Sequence, residues 1–206
     1  MNITIFGATG RVGSKLTNLL LEQGHHVRAL VRNQEKAVEV IPHAELIIGD
    51  VRNEGDVQKA IRSSDAVVSA LGTDRTTTLS EAIPIIIRQM MQAGINRIVT
   101  IGTAGILDSR YEADKYRFQS SESKRTKTFA AEEHLSVYQT LQNTNFDWTI
   151  ICPTYLPDGD AEGSVRFEEN LLPIDGKKVT TGDTAVFTYE TLLNNSFSQK
   201  RVGICY

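Results

Sequence analysis

The sequence predicts an α/β fold in which helices cover both faces of a doubly wound, mostly parallel sheet. Three observations predict it. Short apolar runs alternate with longer helix-periodic stretches, the runs are rich in valine and isoleucine, and glycines stand where helices should end.

The apolar runs cover residues 3–6, 27–31, 46–48, 66–70, 97–101 and 148–152. Several lack polar alternation, as parallel strands buried on both faces require. Helical periodicity falls between them, at 11–23, 34–40, 55–62, 79–93 and 128–142. Gly24 and Gly94 are placed to close helices in the left-handed conformation. Right-handed βαβ crossovers follow from this alternation. The tail is less regular: 164–168, 178–180 and 201–205 are candidate short strands, and 184–193 a helix with Asp183 as N-cap. No repeat or linker interrupts the chain, so residues 1–206 are expected to form one domain.

Bulk properties exclude several classes. A formal charge of −3 over 206 residues gives no general attraction to nucleic acid or anionic membrane. The two cysteines, Cys152 and Cys205, form no CxxC pair, which argues against a disulfide framework. The N-terminal residues lack the basic start of a signal peptide, and the apolar run at 83–87 contains Pro84 and is too short to span a bilayer. A cytoplasmic monomer without nucleic-acid or membrane partners is the expectation.

The most informative motif is Gly7-Ala8-Thr9-Gly10-Arg11-Val12-Gly13, directly after the first strand and opening the first helix. One glycine serves the tight turn, the next lets backbone approach a pyrophosphate, and the third allows close helix–strand packing. The helix N-terminus offers free N–H groups and a positive dipole to the phosphates. A Rossmann dinucleotide site is predicted. The phosphate loop of ATPases is excluded, because no Gly-Lys-Ser/Thr ends the motif.

The end of the second strand selects the dinucleotide. An acidic residue there would bind the ribose 2′-hydroxyl of NAD and repel a 2′-phosphate. The sequence instead has Val31-Arg32-Asn33, with Lys36 one turn on. Arg32 can grip a phosphate through its planar fork, with Arg11 available nearby, so NADP(H) is the expected cofactor.

With these residues in hand, the chain resembles the atypical short-chain dehydrogenase/reductase superfamily in its NmrA-like branch. Within it, the chain is most similar to the flavin reductase/biliverdin-IXβ reductase type. Besides residues 5–10, the resemblance rests on Leu30-Val31-Arg32, Gly49-Asp50-Val51, Asp65 through Gly72-Thr73, Gly94 through Val99, and Asp147-Trp148-Thr149-Ile150 running into Pro153. It implies a one-domain enzyme in which Gly7, Thr9, Gly10, Arg11 and Val12 hold the phosphates, and Asp50 and Val51 flank the adenine. Ala70, Leu71 and Gly72 would line the cofactor's middle, with Pro153, Thr154 and Tyr155 near the nicotinamide.

The wider superfamily places a serine after the fifth strand and a Tyr-x-x-x-Lys on the next helix. Thr103 occupies the serine's place and keeps a hydroxyl donor. Tyr111-Glu112-Ala113-Asp114-Lys115 fits the second pattern literally, but it lies before the helix, within the charged segment 108–127. It is read as a decoy. Tyr116 has better spacing but Ser120 four residues on. The segment itself is either a solvated loop or a lid over the substrate.

His25, His26, His43 and His134 show no metal-ligand spacing, and no metal is expected. His134 falls where the biliverdin-type reductases also carry a histidine and is read as structural rather than as a substrate contact. Cys152 is read as a small buried residue, and the basic run Ser123-Lys124-Arg125-Thr126-Lys127 as a solvated helix start.

Two functions compete. One is an NADPH-dependent reductase transferring hydride to a planar conjugated acceptor (a flavin, a quinone-like molecule or a tetrapyrrole), with Thr103 orienting the nicotinamide or substrate and Tyr155 in the pocket wall. The other is an NADP(H)-binding regulatory redox sensor of NmrA-like type that does not turn over.

Overall fold

The computed structural model describes residues 1–123 and 126–206. Lys124 and Arg125, the centre of the basic run, lie outside the described residues. Among the described residues, one continuous sheet carries eight strands: β1 (Asn2–Phe6), β2 (His26–Val31), β3 (Glu45–Ile48), β4 (Ala66–Ser69), β5 (Arg97–Ile101), β6 (Asp147–Pro153), β7 (Arg166–Glu169) and β8 (Lys200–Cys205). Their order is β3-β2-β1-β4-β5-β6-β8-β7, and every pairing is parallel except β7 with β8. The chain leaves β1 toward β2 and later returns to its other side as β4. The strand order therefore reverses beside β1, which opens a crevice at the carboxyl ends of the strands.

Helices α1 (Arg11–Glu22), α2 (Gln34–Val40) and α6 (Thr181–Leu193) cover one face, and α3 (Glu54–Ile61), α4 (Thr78–Ala93) and α5 (Phe129–Gln142) the other. Successive strand residues supply the two cores. Ile3 and Ile5 pack with Leu16 and Leu20 of α1, whereas Phe6 packs with Ile83 and Ile86 of α4. Removing both sides of the central strands β1, β4 and β5 from water accounts for their mostly apolar runs, each buried apolar side chain contributing roughly 1.5–3 kcal/mol. Thr4, a polar exception in β1, is satisfied by the Ala60 carbonyl at 2.8 Å and the Ser64 hydroxyl at 2.7 Å.

Gly24 (φ +78°) and Gly94 (φ +69°) both take the left-handed conformation expected of helix stops. Beyond each, the chain returns a bond to the last turn, from His25 N–H to Leu20 O and from Ile95 N–H to Met90 O.

The tail departs from expectation in three places. Residues 178–180 form no strand and leave only an isolated bridge from Lys178 to Tyr155. The strand expected at 164–168 runs over Arg166–Glu169 as the antiparallel edge. The last helix starts at Thr181, and its N-cap is Thr180, not Asp183. Thr180 Oγ1 accepts the Asp183 N–H at 3.1 Å, so Asp183 takes the third helical position, the reciprocal place of a capping box.

Segment 108–127 is neither a bare solvated loop nor, among the described residues, part of the cleft wall. Asp108 is forked by the buried Arg201 of β8 at 2.7 and 2.9 Å, and Arg110 pairs with Glu168 of β7 at 2.5 Å. Arg201 also lies 4.2 Å from the Tyr138 ring centroid, with Tyr116 on the same cation. The segment is thus fastened to the antiparallel end of the sheet.

Candidate functional site

The crevice beside β1 is a cleft of about 560 Å³ running from Arg32 and Lys36 past the glycine turn to Gly102. A second chamber of about 500 Å³ adjoins it and shares Arg11, Gly102 and Leu156 with it. Gly7, Thr9, Gly10, Arg11, Val12, Arg32, Lys36, Asp50, Val51, Ala70, Leu71 and Gly72 all line the first. Thr103, Pro153, Thr154 and Tyr155 line the second, again with Arg11. The residues expected to hold the cofactor, together with Thr103 and Tyr155, therefore line these two adjoining spaces.

The turn is shaped for close approach. Gly7 has φ +80°, and a Cβ there would stand 2.5 Å from the Ala70 carbonyl oxygen. A Cβ on Gly13 would overlap the Gly7 carbonyl, so helix α1 and strand β1 meet at backbone distance. Gly10 caps α1 without any side chain, and the first turn has no acidic residue. The N–H groups at this helix end face a cleft that has room for an anion, so the residues present fit a dinucleotide pyrophosphate.

At the β2–β3 end, Arg32 is largely exposed and lies 4.0 Å from Asp74. Among the described residues its fork makes no hydrogen bond. Lys36 sits in the first turn of α2, where its N–H bonds to the Asn33 side chain at 2.9 Å. Asp50 behaves differently. Arg52 donates Nε to Oδ1 at 3.0 Å and Nη2 to Oδ2 at 2.8 Å, and these bonds hold the Asp50 carboxyl down at about 2.

Arg11 does not turn toward Arg32. Its Nη1 donates to the Leu156 carbonyl at 3.0 Å and to Asp158 at 3.3 Å, while Lys15 reaches Asp160 at 2.9 Å. Helix α1 thereby grips the loop after β6 that walls the second chamber. On that wall Tyr155 is 61% exposed, with Pro153 and Pro157 beside it.

Thr103 Oγ1 accepts the Gly105 N–H at 3.4 Å and caps a 3-10 turn over Ala104–Ile106. Its own proton has no acceptor among the described residues. Tyr111 is 75% exposed, and the Lys115 ammonium is held by Glu112 at 2.7 Å. Tyr116 is tucked against Phe118 and Tyr138, where burial raises its pKa. Among the described residues, neither tyrosine hydroxyl is paired with a lysine.

His134 lines the dinucleotide cleft, and burial lowers it to about 4, so it is neutral near pH 7. Cys152 is fully buried, and burial pushes its thiol up to about 12, which makes it inert. Sequence reasoning missed Arg52, Asp74 and Thr78, all of which line the cleft. Only Arg52 had a local signal, a fork donor two residues after a candidate adenine-binding aspartate. Among the described residues, no group of three or more His, Cys, Asp or Glu side chains is placed to hold a metal ion, and no helix is long and apolar enough to cross a membrane.

The family model described as NAD(P)H-binding matches residues 7–195, from the first glycine of the turn through the last helix. The chain belongs to the NAD(P)H-binding family. The uncharacterized protein YwnB of Bacillus subtilis (strain 168) is 26% identical over 99% of this chain and 98% of its own. Other curated relatives, from Arabidopsis thaliana, are longer, and the chain spans only 30%, 24% and 27% of three of them. Among solved structures, "SP1627, a putative NADH-flavin reductase" from Streptococcus pneumoniae TIGR4 superposes with a TM-score of 0.84 at 19% identity, covering 100% of this chain and 99% of that one. The anaerobilin reductase ChuY of Escherichia coli O157:H7 gives 0.81 at 23% identity, with 100% and 97% covered. These neighbours share the fold across the whole chain.

Proposed function

We propose that this member of the NAD(P)H-binding family is an NADPH-dependent reductase that passes hydride to a planar conjugated acceptor such as a flavin, a quinone-like molecule or a tetrapyrrole. The observation that carries the reading is the junction of the two chambers. A groove shaped for a dinucleotide opens at Gly102 into a second space walled by an exposed tyrosine and two prolines. The exposed Tyr155 ring gives an acceptor's ring system a flat face to lie against, and Arg11, Thr103 and Thr154 give it polar groups at the edge. The names of the Streptococcus and Escherichia proteins of like fold, a flavin reductase and an anaerobilin reductase, support the same class of acceptor.

In this reading the bound nicotinamide supplies the hydride, and the chain supplies position. Gly7, Thr9, Gly10 and Val12 hold the pyrophosphate at the end of α1. Arg32 reads the 2′-phosphate with Lys36 adding charge, and Asp50 and Val51 border the adenine. Ala70, Leu71 and Gly72 support the middle of the cofactor, while Pro153 and Thr154 lie beside the ring. Thr103 directs its unspent hydroxyl proton into the second chamber, and Tyr155 forms the acceptor's wall. The proton that completes reduction comes from solvent, which reaches the open chamber. Arg11 belongs to the junction between the two spaces.

The alternative, an NADP(H)-binding sensor without turnover, draws on Tyr111 and Lys115, which form no tyrosine–ammonium pair. One experiment separates the two. Protein is mixed with NADPH and, in turn, FMN, riboflavin, a naphthoquinone and biliverdin, and NADPH absorbance is followed. Catalytic oxidation with at least one acceptor is expected. Tight discrimination between NADP⁺ and NADPH, with no consumption by any acceptor, favours the sensor and ends the reductase reading.

A further inference from the structure

The two arginines at the β2–β3 end of the cleft are not equivalent. Among the described residues Arg32 makes no side-chain hydrogen bond, as a phosphate reader requires. Arg52 has one edge of its fork engaged. Nε and Nη2 both go to Asp50, its backbone N–H also reaches Asp50 Oδ1 at 2.9 Å, and Nη1 lies 3.9 Å from Glu81 at the start of α4. What faces the cleft is a guanidinium whose plane is fixed along one edge by Asp50. It lines the cleft next to Asp50 and Val51, and its side chain is 45% exposed.

A purine in this part of the cleft needs cover on two faces. The surrounding residues Leu30, Val31, Val51 and Leu71 are aliphatic, and the aromatic Phe6 is 1% exposed. A guanidinium plane stacks well on an aromatic ring, and one fixed beforehand loses little entropy in doing so. Asp50 then acts as an anchor. With Oδ1 already taking two bonds, it fixes the plane of Arg52 as well as bordering the base.

We propose that Arg52 stacks on the adenine of the bound dinucleotide and sets affinity for its adenosine half, whichever ribose phosphate is present. This rests on the placement of that half at the β2–β3 end argued above. Two properties separate the role from phosphate reading: it should be common to NADH and NADPH, and it should require a plane rather than a charge.

The test measures equilibrium binding of NADPH, NADH and the adenosine-free nucleotide NMNH through nicotinamide fluorescence, so it does not depend on any acceptor. Arg52→Ala should weaken NADPH and NADH alike, by about 5- to 20-fold, and leave NMNH within twofold. Arg52→Lys keeps the charge and can still pair with Asp50, yet should resemble Arg52→Ala. Wild-type affinity in Arg52→Lys, a loss confined to NADPH, an equal loss for NMNH, or no loss in Arg52→Ala would each overturn the proposal. Arg32→Ala, run in parallel, checks the placement. If it weakens NADPH alone while Arg52→Ala does nothing, the placement stands and the stacking role fails. If it changes neither dinucleotide, the placement itself is wrong.

Discussion

Tyr206 donates its hydroxyl to the Asp183 carboxylate, the same carboxylate that takes the backbone N–H groups of Glu162 at 2.6 Å and Gly163 at 2.9 Å. Asp183 is only 2% exposed, and Thr180 Oγ1 completes its shell at 3.0 Å. A buried charge is tolerable when so many donors surround it. The far end of the loop after β6 thus hangs from the start of α6, while Arg11 and Lys15 hold its near part. Tyr206→Phe removes one donor to this carboxylate and should cost about 1.5–3 kcal/mol of stability. The acceptor KM should rise while NADPH affinity stays unchanged. Thermal melts and the two constants check this, and an unaltered melting temperature with an unaltered KM would show the contact to be dispensable.

Arg32→Ala should weaken NADPH binding by roughly 1.5–3 kcal/mol, the usual worth of a charged hydrogen bond, and leave NADH nearly as it was. The geometry behind this is the fork of Arg32 at the lip of the cleft, which makes no hydrogen bond among the described residues. Titration of both cofactors decides it, and equal losses would remove Arg32 from the reading of the 2′-phosphate.

Tyr111→Phe should lower turnover with a flavin acceptor by less than about threefold, whereas general acid catalysis is worth about 10²–10⁴. Tyr111 is solvent-exposed, and its nominal partner Lys115 is paired with Glu112. A loss of two orders of magnitude in kcat would restore the tyrosine–lysine mechanism.

Thr103→Val keeps the side chain's shape and removes the hydroxyl. If the hydroxyl orients nicotinamide or acceptor, kcat should drop about tenfold, on the order of 1.4 kcal/mol, with NADPH affinity little altered. If its only task is to accept the Gly105 N–H, stability should fall and kcat of the folded protein should hold. We expect the first outcome. An unchanged kcat with every acceptor the wild type reduces is the result that would falsify it.

His134 predicts a pH dependence with a definite sign. Burial lowers it from 6.5 to about 4, so between these values the unfolded chain binds a proton that the folded chain refuses. Stability should therefore rise with pH through this window and fall as the pH drops from 6.5 toward 4. His134→Gln abolishes that titration while carboxylates elsewhere still titrate in both proteins. The stability gap between wild type and variant should shift against the wild type across the window. A gap that stays constant in denaturant titrations from pH 7 to pH 4 would mean His134 is not desolvated in the folded protein.

Much of the fold was legible because it follows from local rules. The runs at 27–31 and 97–101 had to be strands covered on both faces, since neither offers a polar side to water. Gly24 and Gly94 marked helix ends because the left-handed backbone they adopt is costly for other residues. The first turn of α6 was missed because Thr181-Gly182-Asp183 lacks apolar periodicity, although Thr180 and Asp183 have capping-box spacing.

The sequence by itself determined the strand–helix alternation, the glycine turn and the basic residue at the end of β2. Each depends on neighbours close along the chain, through backbone sterics, side-chain periodicity or charge. Only the tertiary structure decided that Arg11 serves the junction and Arg52 the wall of the dinucleotide cleft. Arg11 meets Asp158 across 147 positions, and Arg52 reaches Glu81 of α4. Where a long cationic side chain settles depends on which carboxylates and carbonyls the packed sheet brings within about 3–4 Å of it. Those partners are chosen by the crossover of the strands and the packing of helices on their faces, and spacing along the chain carries no record of the choice.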